Sequence, residues 1–226
     1  MAELPQPETR ELGRYLEDTI TIDWQTPRVM ECAKGLLEGV SEPALRVRVL
    51  FEFVRDEIAH SMDVPTEAQT CRASEVLEHA TGLCYSKSHL LAGLLRFAGF
   101  PTGFCYVRTH AGDVSDVKGA SGASGASGDP GRFALHGFNA VYWAPTKSWF
   151  FLDARGNREA APDSGEQVIS TECRFEAPFS LAFWPNEDRG EAFLPFIYKR
   201  PAKRLIDLLE RAPSLEAVVR NLPDSL

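Results

Sequence analysis

Thr81-Gly82-Leu83-Cys84-Tyr85-Ser86-Lys87-Ser88-His89-Leu90-Leu91-Ala92-Gly93-Leu94-Leu95-Arg96-Phe97-Ala98-Gly99-Phe100-Pro101 is the best-punctuated stretch of the chain. Leu90, Leu91, Leu94, Leu95 and Ala98 recur at three- and four-residue spacing, the apolar stripe of a helix. Gly99 suits the left-handed position after a helix end, and Pro101 forbids continuation. The spacing predicts a helix over about 84–98 with Cys84 in its first turn. A thiol placed there meets unpaired backbone N–H groups and the positive end of the helix dipole, an environment that favours a thiolate.

Upstream, the first 60 residues read as helix. Thr26 followed by Pro27 suggests an N-cap with proline at the first helical position, and Gly39 suggests a stop. Val29, Met30, Ala33, Leu36 and Leu37 keep helical spacing. A second helix begins near Pro43, with Leu45, Val47, Leu50, Phe51, Val54 and Ile58 in phase. A loop around Pro65 precedes a short helix over about Ala73–His79.

Downstream the pattern changes to aromatic and β-branched runs, so strands are expected at Thr102–Arg108, Phe133–Trp143 and Ser148–Ala154. The last two are joined by Ala144-Pro145-Thr146-Lys147, a connection of hairpin length. The thrice-repeated tripeptide of Gly119–Gly128 reads as a flexible surface loop. In the tail, Phe175, Phe179, Phe183, Trp184 and Phe196 are expected to wrap the core. Helices are expected at about Ala202–Arg211 and Ser214–Asn221. Helices, then strands, then helices, with no βαβ alternation, point to an α+β fold in one domain over residues 1–226.

Composition narrows the function classes. A formal charge of −8 over 226 residues argues against nucleic acid or an anionic membrane as partner. No run of 18 apolar residues and no leader pattern is visible, so a cytoplasmic protein is expected. Five cysteines, at 32, 71, 84, 105 and 173, form no Cys-x-x-Cys pair, so neither a disulfide framework nor a ribbon-type zinc site is indicated. Cys84/His89 and Cys105/His110, with Cys71 and His79 nearby, could be gathered into a zinc set. However, helical positions five apart diverge by about 140°.

Cys84, His136 and Asp153 form the chemically suggestive set. If the hairpin turn is centred between Pro145 and Thr146, residue 136 lies opposite 155 and 138 opposite 153. His136 and Asp153 then project from one face as diagonal neighbours, about 7–8 Å apart at Cα. Centring the turn on a single residue would separate them. A cysteine nucleophile needs a base that takes and returns a proton, and the imidazole needs a carboxylate to fix its tautomer. The bland readings are a packing cysteine, a satisfied core histidine and an aspartate that begins the turn through Arg155-Gly156-Asn157. Cys32, Cys71, Cys105 and Cys173 read as packing thiols.

Gly82-Leu83-Cys84 with the Arg96-Phe-Ala-Gly99-Phe-Pro101 ending resembles the cysteine helix of the transglutaminase-like superfamily. His136-Gly-Phe-Asn-Ala-Val-Tyr-Trp143 resembles its histidine strand, and Trp149-Phe-Phe-Leu-Asp153 its aspartate strand. The three motifs lie in order within about residues 45–160. The resemblance implies a papain-like α+β core with Cys84 as nucleophile, His136 as base and Asp153 as orienter. It departs at Gly137, which separates His136 from the aromatic residue that usually follows directly.

The expected chemistry is a thioester acyl-enzyme at Cys84, formed from a peptide or carboxamide substrate and resolved by water. No metal or organic cofactor is called for. Transamidation to an amine, acyl transfer to an arylamine and a silent binding module are the alternatives. The backbone N–H of Cys84 offers one oxyanion donor. Gln69 and Tyr85 are candidates for the second, and Trp143 and Trp149 are candidates for a cleft wall.

Overall fold

The computed structural model describes residues 2–111, 131–155, 179–182 and 184–226. The Gly119–Gly128 repeat, Asn157, Cys173, Phe175 and Phe183 lie outside the described residues. Four helices come first: α1 (Pro27–Leu36), α2 (Pro43–Glu57), α3 (Ala73–His79) and α4 (Cys84–Phe97). The strands β4 (Thr102–His110), β5 (Phe133–Trp143) and β6 (Ser148–Leu152) follow, and α5 (Lys203–Arg211) and α6 (Leu215–Arg220) close the chain. Short strands complete the set: β1 (Gln6–Pro7), β2 (Ala59–His60), β3 (Thr81–Gly82), β7 (Phe179–Ser180), β8 (Ala192–Phe193) and β9 (Phe196–Ile197).

The main sheet has the order β7-β6-β5-β4-β8. Its inner strands β4, β5 and β6 are antiparallel, and β7 joins β6 in parallel. This is an α+β fold. Helix α4 runs against β4 and β5 and is enclosed by α1, α2 and α3. Leu90, Leu91, Leu94 and Leu95 pack with Val29, Ala33, Leu50, Phe51 and Val54 beneath Val141 and Leu152. Each of these leucine, valine and phenylalanine side chains contributes about 1.5–3 kcal/mol by leaving water. A second apolar layer joins Tyr15, Cys105, Val107, Phe138, Phe151, Phe193 and Ile197.

Several boundaries match the pattern. α3 covers the expected residues, Gly99 adopts φ +87° after α4, and Ser214 accepts the Ala217 N–H at the start of α6. The first 60 residues are not uniformly helical, however. Residues 2–26 hold β1 and one 3-10 turn at Leu12–Tyr15. Pro5 and Pro7 break any helix there, and β1 instead pairs in parallel with β9. Thr26 occupies the N-cap of α1, yet its hydroxyl donates to Asp23 O rather than capping the helix. The tail contributes strands β7, β8 and β9, which a two-residue pattern does not advertise.

Every residue of α4 from Cys84 to Arg96 is buried, including the polar ones. Buried polar groups need partners. Ser86 Oγ donates to Thr70 O at 2.5 Å, and His89 Nδ1 meets Cys71 O at 2.7 Å. Arg96 donates to the carbonyls of Glu17, Thr102 and Lys199, each through at least one bond of 2.7–2.8 Å. The helix thus joins the N-terminal segment, the start of β4 and the C-terminal segment at one guanidinium.

Candidate active site

Cys84 is the first residue of α4 and only 4% exposed. β6 ends at Leu152, opposite Asn139, so the carbonyls of Gly137 and Leu135 lie beyond the stretch it pairs with. Helix α4 takes both. Tyr85 donates its hydroxyl to Leu135 O, and Ser88 Oγ donates to Gly137 O at 3.3 Å. These bonds hold the first two turns of the helix beside His136.

Gly137 fits this contact by having no side chain. A Cβ there would stand 2.7 Å from Cδ1 of the Tyr85 ring. The residue that departs from the family pattern is therefore where the tyrosine following Cys84 packs on the histidine strand.

The β5–β6 hairpin takes the register centred between Pro145 and Thr146, with Trp143 opposite Ser148 and Asn139 opposite Leu152. Asp153 follows directly, and its Oδ2 lies 2.7 Å from His136 Nε2. The carboxylate is fixed by two further donors, Arg155 N to Oδ1 at 2.9 Å and Ala182 N to Oδ2 at 3.2 Å. Asp153 thus makes a local turn contact and a contact with the imidazole at once.

His136 also interacts with the neighbouring Cys84 sulfur. Burial by itself would disfavour an imidazolium. The Asp153 carboxylate and the Cys84 sulfur, each as charge and as hydrogen-bond partner, outweigh it and push His136 up to about 10. The arrangement suits a proton shared between sulfur and imidazole.

The other candidates are placed elsewhere. Gln69 Nε2 donates to Leu209 O at 2.8 Å and Ala212 O at 3.0 Å, tying down the end of α5. The Tyr85 hydroxyl is spent on Leu135 O. Trp143 stacks on Phe100 and Phe150, and Trp149 packs edge-on against Tyr15 and Tyr142, so both join ring clusters. Cys71 and Cys105 are buried, and burial pushes Cys71 up to about 12.

Sequence reasoning missed four buried side chains beside the set: His60, Asp63, Lys87 and Arg155. One signal was available. Lys87 sits at the fourth residue of α4, although cations are disfavoured near a helix N-terminus. Burial draws this amine down to about 7, with Arg155 adding to the effect and Asp63, Asp153 and Asp56 opposing it.

The profile of the Transglutaminase-like superfamily matches residues 31–154, more than half of the chain. The chain belongs to the transglutaminase-like superfamily. Among solved structures, a cysteine-protease candidate from Cytophaga hutchinsonii is 14% identical with TM-score 0.48, the match covering 65% of this chain and 42% of that one. The periplasmic domain of TgpA from Pseudomonas aeruginosa is 19% identical with TM-score 0.42, covering 64% and 46%. Red sea bream transglutaminase is 13% identical with TM-score 0.37, covering 76% and 31%. The chain spans less than half the length of each of these three. No curated protein matches it. Among the described residues, no helix is long and apolar enough to cross a membrane.

Proposed function

We propose that this transglutaminase-like chain is a cysteine-dependent acyl-transfer enzyme that hydrolyses a peptide or carboxamide bond. The observation that carries this reading is the 2.7 Å contact of His136 Nε2 with Asp153 Oδ2, made by a histidine that also hydrogen-bonds Cys84 at a helix start.

In the proposed cycle the Cys84 sulfur attacks the carbonyl carbon, and the Cys84 backbone N–H donates to the developing oxyanion. The C–N bond breaks, His136 gives its proton to the departing amine, and a thioester remains on Cys84. Water then attacks the thioester, yields its proton to His136 and releases the carboxylic acid and the free thiol. Asp153 keeps one tautomer and one orientation of the imidazole throughout. Water is the acceptor in this reading because it is the default nucleophile unless a dry amine site is built.

The test is alkylation of the full chain with iodoacetamide across pH, followed by turnover of an amide panel with and without added amine. The expected result is one fast thiol, Cys84, half-maximally reactive well below the roughly 8.5 of a free cysteine. His136→Ala should abolish that advantage. If Cys84 labels no faster than Cys32, or if His136→Ala leaves its rate unchanged, the reading fails. Amine incorporation outrunning hydrolysis would make the enzyme a transamidase instead.

A further inference from the structure

The proposed cycle leaves His60, Asp63, Lys87 and Arg155 without a role, although all four are buried beside it. Ionised side chains are almost never fully buried unless paired, and a buried pair is weak evidence for stability, since apolar residues of like volume often do as well. Their geometry points elsewhere.

Arg155 grips Asp63 with two bonds, Nη1 to Oδ2 at 2.6 Å and Nη2 to Oδ1 at 3.2 Å. The backbone N–H of the same Arg155 donates to Asp153 Oδ1. At the other end, Lys87, one helical turn beyond Cys84, donates from Nζ to Ile58 O and to Arg55 O, carbonyls at the end of α2. Between these points the chain runs from Ile58 to Asp63, held along β3 by the Ala59–Thr81 and His60–Gly82 pairing and by Ser61 N to Gly82 O at 3.1 Å. The contacts close a ring: Cys84 to Lys87, Lys87 to Ile58, along the chain to Asp63, then Arg155, Asp153, His136 and back to Cys84.

We propose that residues Ile58–Asp63 are a positioning strap for Cys84, His136 and Asp153, with Lys87 fastening one end to the cysteine helix and the Asp63–Arg155 pair fastening the other to the segment that carries Asp153. The inference rests on the proposed function and deepens it. Lys87, Asp63 and Arg155 act through the residues they hold. A bidentate arginine–carboxylate fork suits this task because it fixes direction as well as distance. Displacements of about 1 Å at a reacting group can cost about 100-fold in rate.

The charged and titratable groups around the strap are Asp56 at the end of α2, His60 and Asp63 on the strap, Lys87 and Cys84 on α4, His136 on β5, and Asp153 and Arg155 after β6. Burial, together with Arg155, Lys87 and His136, holds His60 well below the usual histidine range, so it adds no charge of its own near neutral pH.

The test compares Arg155→Gln, Asp63→Asn and Arg155→Lys in the full chain, reading the pH profile of Cys84 alkylation by iodoacetamide alongside near-ultraviolet circular dichroism and Tm. In Arg155→Gln and Asp63→Asn the half-maximal pH should rise by about one unit, with alkylation near pH 6 slowed about tenfold. Arg155→Lys, which keeps the charge and loses the fork, should fall between these and the parent. A folded Arg155→Gln with a lower Tm and an unchanged profile makes the pair merely structural and overturns the strap. Should Arg155→Gln not fold, an unchanged profile in Arg155→Lys overturns it equally. A parent protein with no acid-shifted Cys84 fails the proposed function itself, a result distinct from either.

Discussion

His136 Nε2 and Asp153 Oδ2 stand 2.7 Å apart although they lie 17 positions apart in the chain, and the turn Ala144–Lys147 sets that distance. Lys147 takes φ +51° and donates its N–H to Ala144 O, closing the turn so that 138 falls opposite 153. Slipping the hairpin by one residue would turn the two side chains to opposite faces.

The dependence of stability on pH should expose the opposed titrations of His136 and Lys87. His136 rises to about 10 from an ordinary 6.5, so the native state holds a proton that the unfolded chain has lost, and its contribution declines as pH climbs through that window. Lys87 falls to about 7 from 10.5, so the unfolded chain holds the extra proton and its contribution grows over much of the same range. Between pH 7 and 9 the Tm of Lys87→Met should fall relative to the parent as pH rises, and that of Asp153→Asn should rise relative to it. Calorimetric scans at pH 7, 8 and 9 check both, and a Lys87→Met profile parallel to the parent's contradicts the assignment.

Replacing Gln69 separates an anchor from an oxyanion donor. Gln69→Leu leaves the carbonyls of Leu209 and Ala212 without their amide, costing about 1–3 kcal/mol in urea denaturation. Cys84 alkylation and amide turnover should stay within about twofold of the parent. A fall in kcat of about 100-fold or more would return Gln69 to the oxyanion site.

Gly137→Ala forces the Tyr85 ring to move, because its Cδ1 stands 2.7 Å from the new methyl. The expected loss is about 1–3 kcal/mol, with slower alkylation of the neighbouring Cys84. Adding Tyr85→Leu should recover part of the stability. A double-mutant cycle measures this, and strict additivity would mean that the two residues do not press on each other.

Arg96→Met should be severely destabilising, because three carbonyls from separate parts of the chain lose a donor at once. A cost of about 3–5 kcal/mol is expected. Arg96→Lys should recover only part of it, since one ammonium lacks the planar spread of donors that reaches all three. Denaturant titration of both variants decides the matter, and full recovery in the lysine variant would show that charge alone suffices.

The helix of Cys84 was legible because its stop signals are local: Gly99 takes the left-handed turn and Pro101 ends the run. The hairpin was legible as a pair of strands, but its register stayed open between two centrings of the turn, and the structure takes the one that brings His136 to Asp153. What stayed hidden depends on contacts between distant segments. The apolar stripe of α4 suggests a helix with one wet face, yet Ser86, Lys87, His89 and Arg96 are all buried, each bonded to a carbonyl outside its own helix. Asp63 and Arg155 look like surface charges until the fold sets one on the other. β1 has only two residues and finds its partner near the far end of the chain, so no period reveals it.

The strap ties chemistry to the order of folding. The hairpin contact closes over 17 residues, whereas Asp63 and Arg155 meet across 92. Closing the longer loop costs more chain entropy, and only the completed fold repays it. A ribosome has to release Arg155 before Asp63 can find it, so a nascent chain that already carries Cys84 and its helix still lacks the fork. On the proposed reading, a reactive sulfur is then a property of the finished molecule, and the growing chain is spared a sharpened nucleophile while its thiols are most open to the wrong partner.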